Sequence, residues 1–257
     1  MAAPPPETVL NAFLSVHAQG APIPPALYAQ GEAVWRDLRE TPPPGPVWGR
    51  FLVAMGELAA DHVHDARAAF TLLHAALERA QATADAEVGA AAAFNLGVLA
   101  ERKQDLTRAR LIYREGADAV ARHGTWTAPA LRCVERLVSV ALHRDDHLSV
   151  AEQALLKQAW LAWLAGVDGV DADLDSRLLR TLAACLLPED DPTALAERWR
   201  AWPPHALDDQ RRDDAPTCLL ALYATAIRAA EMHLSDEPFA AEPYRALHAA
   251  ALRQFKA

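Results

Sequence analysis

Five times along the chain a polar, mostly acidic cluster is followed by a small residue, and the small residues stand at nearly constant separations. Asp61-His62-Val63-His64-Asp65 precedes Ala66, Gln104-Asp105 precedes Ala109, and Asp145-Asp146-His147-Leu148 precedes Ala151. Glu189-Asp190-Asp191 precedes Ala194, and Ser235-Asp236-Glu237 precedes Ala240. The intervals between the alanines are 43, 42, 43 and 46 residues. Four positions after the alanine stand Phe70, Tyr113, Leu155 and Tyr244, with Arg198 beside Trp199 in the fourth unit. A fixed period of this length is the mark of a chain that stacks one supersecondary unit upon another.

The units must be helical. Alanine occurs 57 times and leucine 35 times, against 18 valines and isoleucines together. Alanine and leucine lose little freedom in a helix, whereas pleated sheets draw on β-branched residues, so the balance predicts an all-α chain. Helix pairs are expected at 47–82, 85–122, 127–166, 172–202 and 214–255, with the longest interruption at 203–216. Ten of the 18 prolines precede residue 47 and bracket two amphipathic stretches at 7–19 and 25–40. The organisation read from the chain is a Pro-rich N-terminal helical cap or degenerate repeat over 1–46 and a repeat domain of about five helix pairs over 47–257.

The second unit carries the most specific pattern. Ala93-Phe94-Asn95-Leu96-Gly97-Val98-Leu99-Ala100 leads into Lys103-Gln104-Asp105-Leu106, and Ala109, Tyr113 and Gly116 follow. Over residues 93–120 the chain resembles the tetratricopeptide-repeat family, whose pattern sets a Leu-Gly pair in the first helix, a polar turn, a small residue twelve positions after the glycine and an aromatic four further on. The resemblance implies a right-handed superhelical solenoid of antiparallel helix pairs. The period of about 42 residues exceeds the family's usual 34, so each helix should carry about one extra turn. Small residues at Gly97 and Ala109 would let the paired helices approach closely, with Tyr113 filling the gap toward the next pair.

The resemblance also implies a binding face, because the family's first helices line a concave groove that takes an extended or helical peptide. Trp48, Phe51 and Met55 map to that face in the first unit. Phe94, Asn95, Val98, Glu101 and Arg102 map to it in the second, and Cys133, Arg136, Val140, His143 and Arg144 in the third. The net charge is −9, which argues against phosphate-backbone binding as the main activity. Residues 101–144, however, hold nine basic and five acidic side chains. A basic middle in an acidic chain favours an acidic segment or a terminal carboxylate near Arg102, Arg136 and Arg144. The family's clamp on chaperone C-termini uses a lysine and an asparagine in one first helix. Phe51 and Met55 stand at the matching early positions and Asn95 alone is retained, which argues against that role.

The remaining constellations have structural readings. Aspartates at helix starts satisfy orphan amides, typically by ~1 kcal/mol, so the acidic turns read as caps. Asp61-His62-Val63-His64-Asp65 and the His143/His147 pair have metal-ligand residue types, but neither has a zincin glutamate, and no metal is expected. Trp160 with Trp163, and Trp199 with Trp202, are spaced to share a helix face, as core between units or as an anchor for a partner or a second copy in a homodimer. Cys133, Cys185 and Cys218 are far apart and read as reduced core thiols. The longest uncharged apolar stretch, 89–100, is too short for a membrane span of about 20 residues, and the start lacks a secretory signal pattern. No nucleophile elbow, phosphate loop, dinucleotide fingerprint or cysteine pair is present. The expectation is a cytoplasmic, non-catalytic protein-interaction module without cofactor. A ligand-sensing regulatory subunit and a nucleic-acid-associated repeat protein are the alternatives.

Overall fold

A computed structural model of the chain describes residues 4–19, 22–123, 125–144 and 146–171, with 173, 174, 177, 178, 181 and 249. Among the described residues there are eight α-helices and no strand: α1 (Pro6–Ala18), α2 (Pro25–Leu38), α3 (Pro46–Asp61), α4 (Ala66–Thr83), α5 (Ala86–Arg102), α6 (Leu106–His123), α7 (Ala128–His143) and α8 (Val150–Ala165). These match the expected amphipathic stretches and the first three expected pairs to within two residues. Helices α3 to α8 are 16 to 18 residues long, as the long period requires. Apart from 173, 174, 177, 178, 181 and 249, the pairs expected at 172–202 and 214–255 lie outside the described residues, as do Ala194, Trp199, Trp202, Ala240, Tyr244, Cys185 and Cys218.

Proline and aspartate set the helix starts. Pro6, Pro25 and Pro46 open α1, α2 and α3, where a missing N–H costs nothing and the fixed φ already suits a helix. Asp65 caps α4 by accepting from the amides of Arg67 and Ala68 at 3.0 and 2.9 Å. Asp85 accepts from Val88 N and Asp105 from Arg108 N, each at 3.1 Å. In all three turns the residue before the aspartate is left-handed: His64 at φ 58°, Ala84 at 54° and Gln104 at 61°. Helix α8 is capped instead by Ser149 in a reciprocal box with Glu152. Asp61 and Asp146 bond arginines, and the His143/His147 spacing is broken because α7 ends at His143.

The chain divides into two compact units, 1–123 and 124–257. In the first, α5 and α6 run antiparallel, since Gly97 meets Tyr113 while the start of α5 at Gly89 lies near Gly116 and Ala119. The approach is closest at the glycines. A Cβ on Gly97 would overlap the Tyr113 ring, and one on Gly56 would come within 2.6 Å of Leu73 Cγ. Tyr113 is fully buried and donates its hydroxyl proton to Glu101 Oε1 at 2.5 Å. The core is continuous from α1 to α5, with Phe13 edge-on to Phe51 and Trp48 stacked on both Trp35 and Phe51.

Two positional expectations are corrected. Ala109 is fully buried, but Ala66 and Ala151 are exposed. In α4 the buried small residue is Ala69, four beyond the cap Asp65 as Ala109 is four beyond Asp105, and Leu73 stands where Tyr113 does. The step between these two pairs is therefore 40 residues rather than 43. An alanine lies close to almost any frame in this chain, whereas the cap fixes the helix phase. Trp48, Phe51 and Met55, mapped to the groove, are buried instead beneath α1 and α2. Three large apolar side chains are stabilised more by that cover than by water.

In the second unit α7 packs on α8, and Trp160 and Trp163 are both buried, so this pair is core. Cys133 is buried as well, and burial pushes its thiol far above the ordinary range, which leaves it protonated at neutral pH. Arg132 Nη2 bonds Asp171 Oδ2 at 2.9 Å, tying the segment after α8 back to α7.

Gly97→Ala should destabilise the chain by roughly 1–3 kcal/mol through overpacking, read as a lower denaturation midpoint. Ala84→Gly should raise stability by about 0.5 kcal/mol, because relief of the left-handed strain exceeds the added unfolded-state entropy; a lower midpoint would contradict this account of the turn.

Candidate functional site

The first helices of the N-terminal unit stack in parallel, and polar pairs mark the seam between them. From α1 to α3, Phe13 meets Phe51 and His17 meets Glu57. From α3 to α5, Gly49 meets Val88, Arg50 bonds Glu87 at 3.1 Å, Glu57 bonds Asn95 at 2.8 Å, and Asp61 bonds Arg102 at 2.7 Å. Each contact joins residues 37 to 41 apart, and from Arg50/Glu87 through Glu57/Asn95 to Asp61/Arg102 the numbers rise together on both helices. On α3 the polar members fall at 50, 57 and 61, which brings them to one side of the helix.

This seam contains two of the residues read from the sequence. Asn95 Nδ2 donates to Glu57 Oε1 and also to the carbonyl of Ala91 at 3.0 Å. Arg102 holds Asp61 with about half of each side chain exposed. Phe94 and Val98 are half-buried on the same helix, and the Phe94 ring centroid lies 6.2 Å from that of Tyr113. Phe94, Asn95, Val98 and Arg102 thus occupy one broad face of α5.

Arg136, Val140, His143 and Arg144 belong to the second unit. Val140 is buried, Arg136 is half-buried, and His143 is exposed at the end of α7. Arg144 Nε lies 3.0 Å from Asp146 Oδ2. The eight residues are therefore distributed over two units, four in each.

Glu57, His17, Arg50, Glu87 and Asp61 complete the seam and were not among the candidates. The signal for them lies in the period: complementary polar residues stand about 40 positions apart, as in 17, 57 and 95. The hydrogen bond that His17 donates to Glu57 raises its titration above the ordinary imidazole value, against the lowering effect of partial burial and with help from the carboxylate's charge.

Clefts lie elsewhere on this unit. One of about 500 Å³ runs between α2 and α4 and is lined by Tyr28, Trp35, Met55 and Arg67 among others. One of about 420 Å³ lies among α4, α5 and α6 at Gln81, Gly89 and Gly116. Neither is lined by Phe94, Asn95, Val98 or Arg102. Among the described residues no group of three or more histidines, cysteines or carboxylates converges as metal ligands, and no helix is long and apolar enough to cross a membrane.

No protein-family model matches this chain, and no curated protein matches it significantly.

The seam interactions differ in kind. For the exposed pair Asp61–Arg102, a double-mutant cycle to alanine should give a coupling below ~1 kcal/mol that shrinks with added salt. Glu57→Ala should cost more, about 1–2 kcal/mol, because it orphans partners on both sides. Equal costs for the two sites in chemical denaturation would contradict the assignment.

Proposed function

We propose that the chain is a cytoplasmic, non-catalytic interaction module of the tetratricopeptide-repeat type. In this reading its helix pairs wind into a right-handed superhelix, and a peptide or partner protein with an acidic segment lies along the face of the first helices. The observation that carries the reading is the parallel stacking of α1, α3 and α5 in steps of about 40 residues, with polar groups along the seam. Stacked first helices make an extended surface, which is how helical-repeat proteins gather contacts with a long ligand.

The charge of the middle segment supports an acidic partner. Arg102 and Arg144 are each engaged by an aspartate in a partly exposed pair. Such pairs are worth at most ~1 kcal/mol. A carboxylate-rich ligand can therefore exchange with the internal aspartates at little cost, and bidentate arginine contacts would favour it. In the first unit the proposed contact groups are Asn95 and Arg102 on α5, with Phe94 and Val98 supplying apolar surface; in the second unit, taken by itself, they are Arg136, His143 and Arg144.

The test is affinity capture from the native cell extract with the Arg136→Glu/Arg144→Glu variant beside the unaltered chain. The reversed charges should lower recovery of the captured protein about tenfold or more, since two charge-assisted contacts become repulsive. Undiminished recovery from a folded variant would end the groove assignment.

A further inference from the structure

We propose that His17, Glu57 and Asn95 form a pH-responsive latch that holds α1 on the α3–α5 seam, engaged while His17 is protonated and weakened once it is neutral. The geometry is a single carboxylate shared between two neighbouring helices. Glu57 Oε2 lies 2.8 Å from His17 Nε2, and Glu57 Oε1 accepts from Asn95 Nδ2 at the same distance. Asn95 is fixed in turn by the Ala91 carbonyl, so the carboxylate is aimed at α1 before the histidine arrives. His17 sits in the last turn of α1, where the helix dipole also favours a cation.

Glu57 is the charge that acts on this histidine. On α3, Asp61 is one turn further along and is engaged by Arg102. On α2, Tyr28, Glu32 and Arg36 line the cleft toward Asp65 and Arg67 of α4. On α1 itself, Glu7 lies at the opposite end. The α5 member, Asn95, is neutral. Beside this pair α1 also meets α3 through Phe13 against Phe51, an apolar contact that does not titrate.

The sign follows from the bond. His17 gains its partner only when folded, and its native titration lies above the ordinary value. The extra hold on α1 is complete below about pH 6.5 and is lost as pH rises through the native midpoint. Losing it leaves the aromatic contact in place, so α1 loosens relative to α3 while the core persists.

Hydrogen exchange on the full chain, corrected for intrinsic rates, tests this at roughly pH 5.5 and pH 8. Protection of α1 amides should fall about two- to fivefold relative to α3 amides at the higher pH, the range a partly exposed ion pair supplies. His17→Gln and Glu57→Gln should each abolish that difference. An NMR titration should place the His17 midpoint above the ordinary value. A pH response equal in α1 and α3, a difference that survives in either variant, or a midpoint at or below the ordinary value would overturn the latch.

Discussion

The N-terminal unit depends on how closely its paired helices approach. At Gly56 and Gly97 the second helix of each pair places a large side chain, Leu73 or Tyr113, where a Cβ would otherwise stand. Interiors at close-packed density leave no room for both. Because the pair is this tight, its outer surfaces are fixed in phase, and the first helix turns one face to the preceding pair and another to the next. The Tyr113 hydroxyl reaches Glu101 from within the same contact, so the buried ring carries no unsatisfied polar atom.

Fixing the phase of each pair also fixes the seam. Glu57 can bond both His17 and Asn95 only because α1, α3 and α5 present equivalent turns at steps of 38 to 40 residues. Elsewhere α3 meets α1 and α2 through apolar side chains, and Trp48, Phe51 and Met55 serve the core there. The N-terminal helices are thus built into the same core as α3 to α5. Polar groups gather where the first helices meet, apolar groups beneath them, and the proposed partner face follows from that division.

The helices themselves were legible because their signals are local. Proline at N1 and aspartate caps mark starts that need no tertiary information, and the abundance of alanine and leucine fixes the helical class. That Trp160 and Trp163 share a face was readable, whereas the choice between core and partner anchor came from their burial. The phase of the repeat was not readable from alanine, since Ala66 and Ala69 are equally good small residues and only Ala69 meets a neighbour. The caps carried the better frame, with Ala69 and Ala109 each four residues beyond its aspartate. Asn95 and Arg102 were read from the sequence as candidates for a groove, but their pairing with Glu57 and Asp61 was not, because pairing across helices depends on which turns come level.

What the sequence by itself determined is therefore the helical class and the helix ends, both set by propensity and capping within a few residues. What only the tertiary structure decided is which face of each helix is covered. Burial depends on the neighbour's phase, and that phase is set by single close contacts such as Gly97 with Tyr113. Cover by α1 and α2 turned Trp48, Phe51 and Met55 from surface into core, and the stacking of α1, α3 and α5 brought His17, Glu57 and Asn95 within hydrogen-bond reach across three helices.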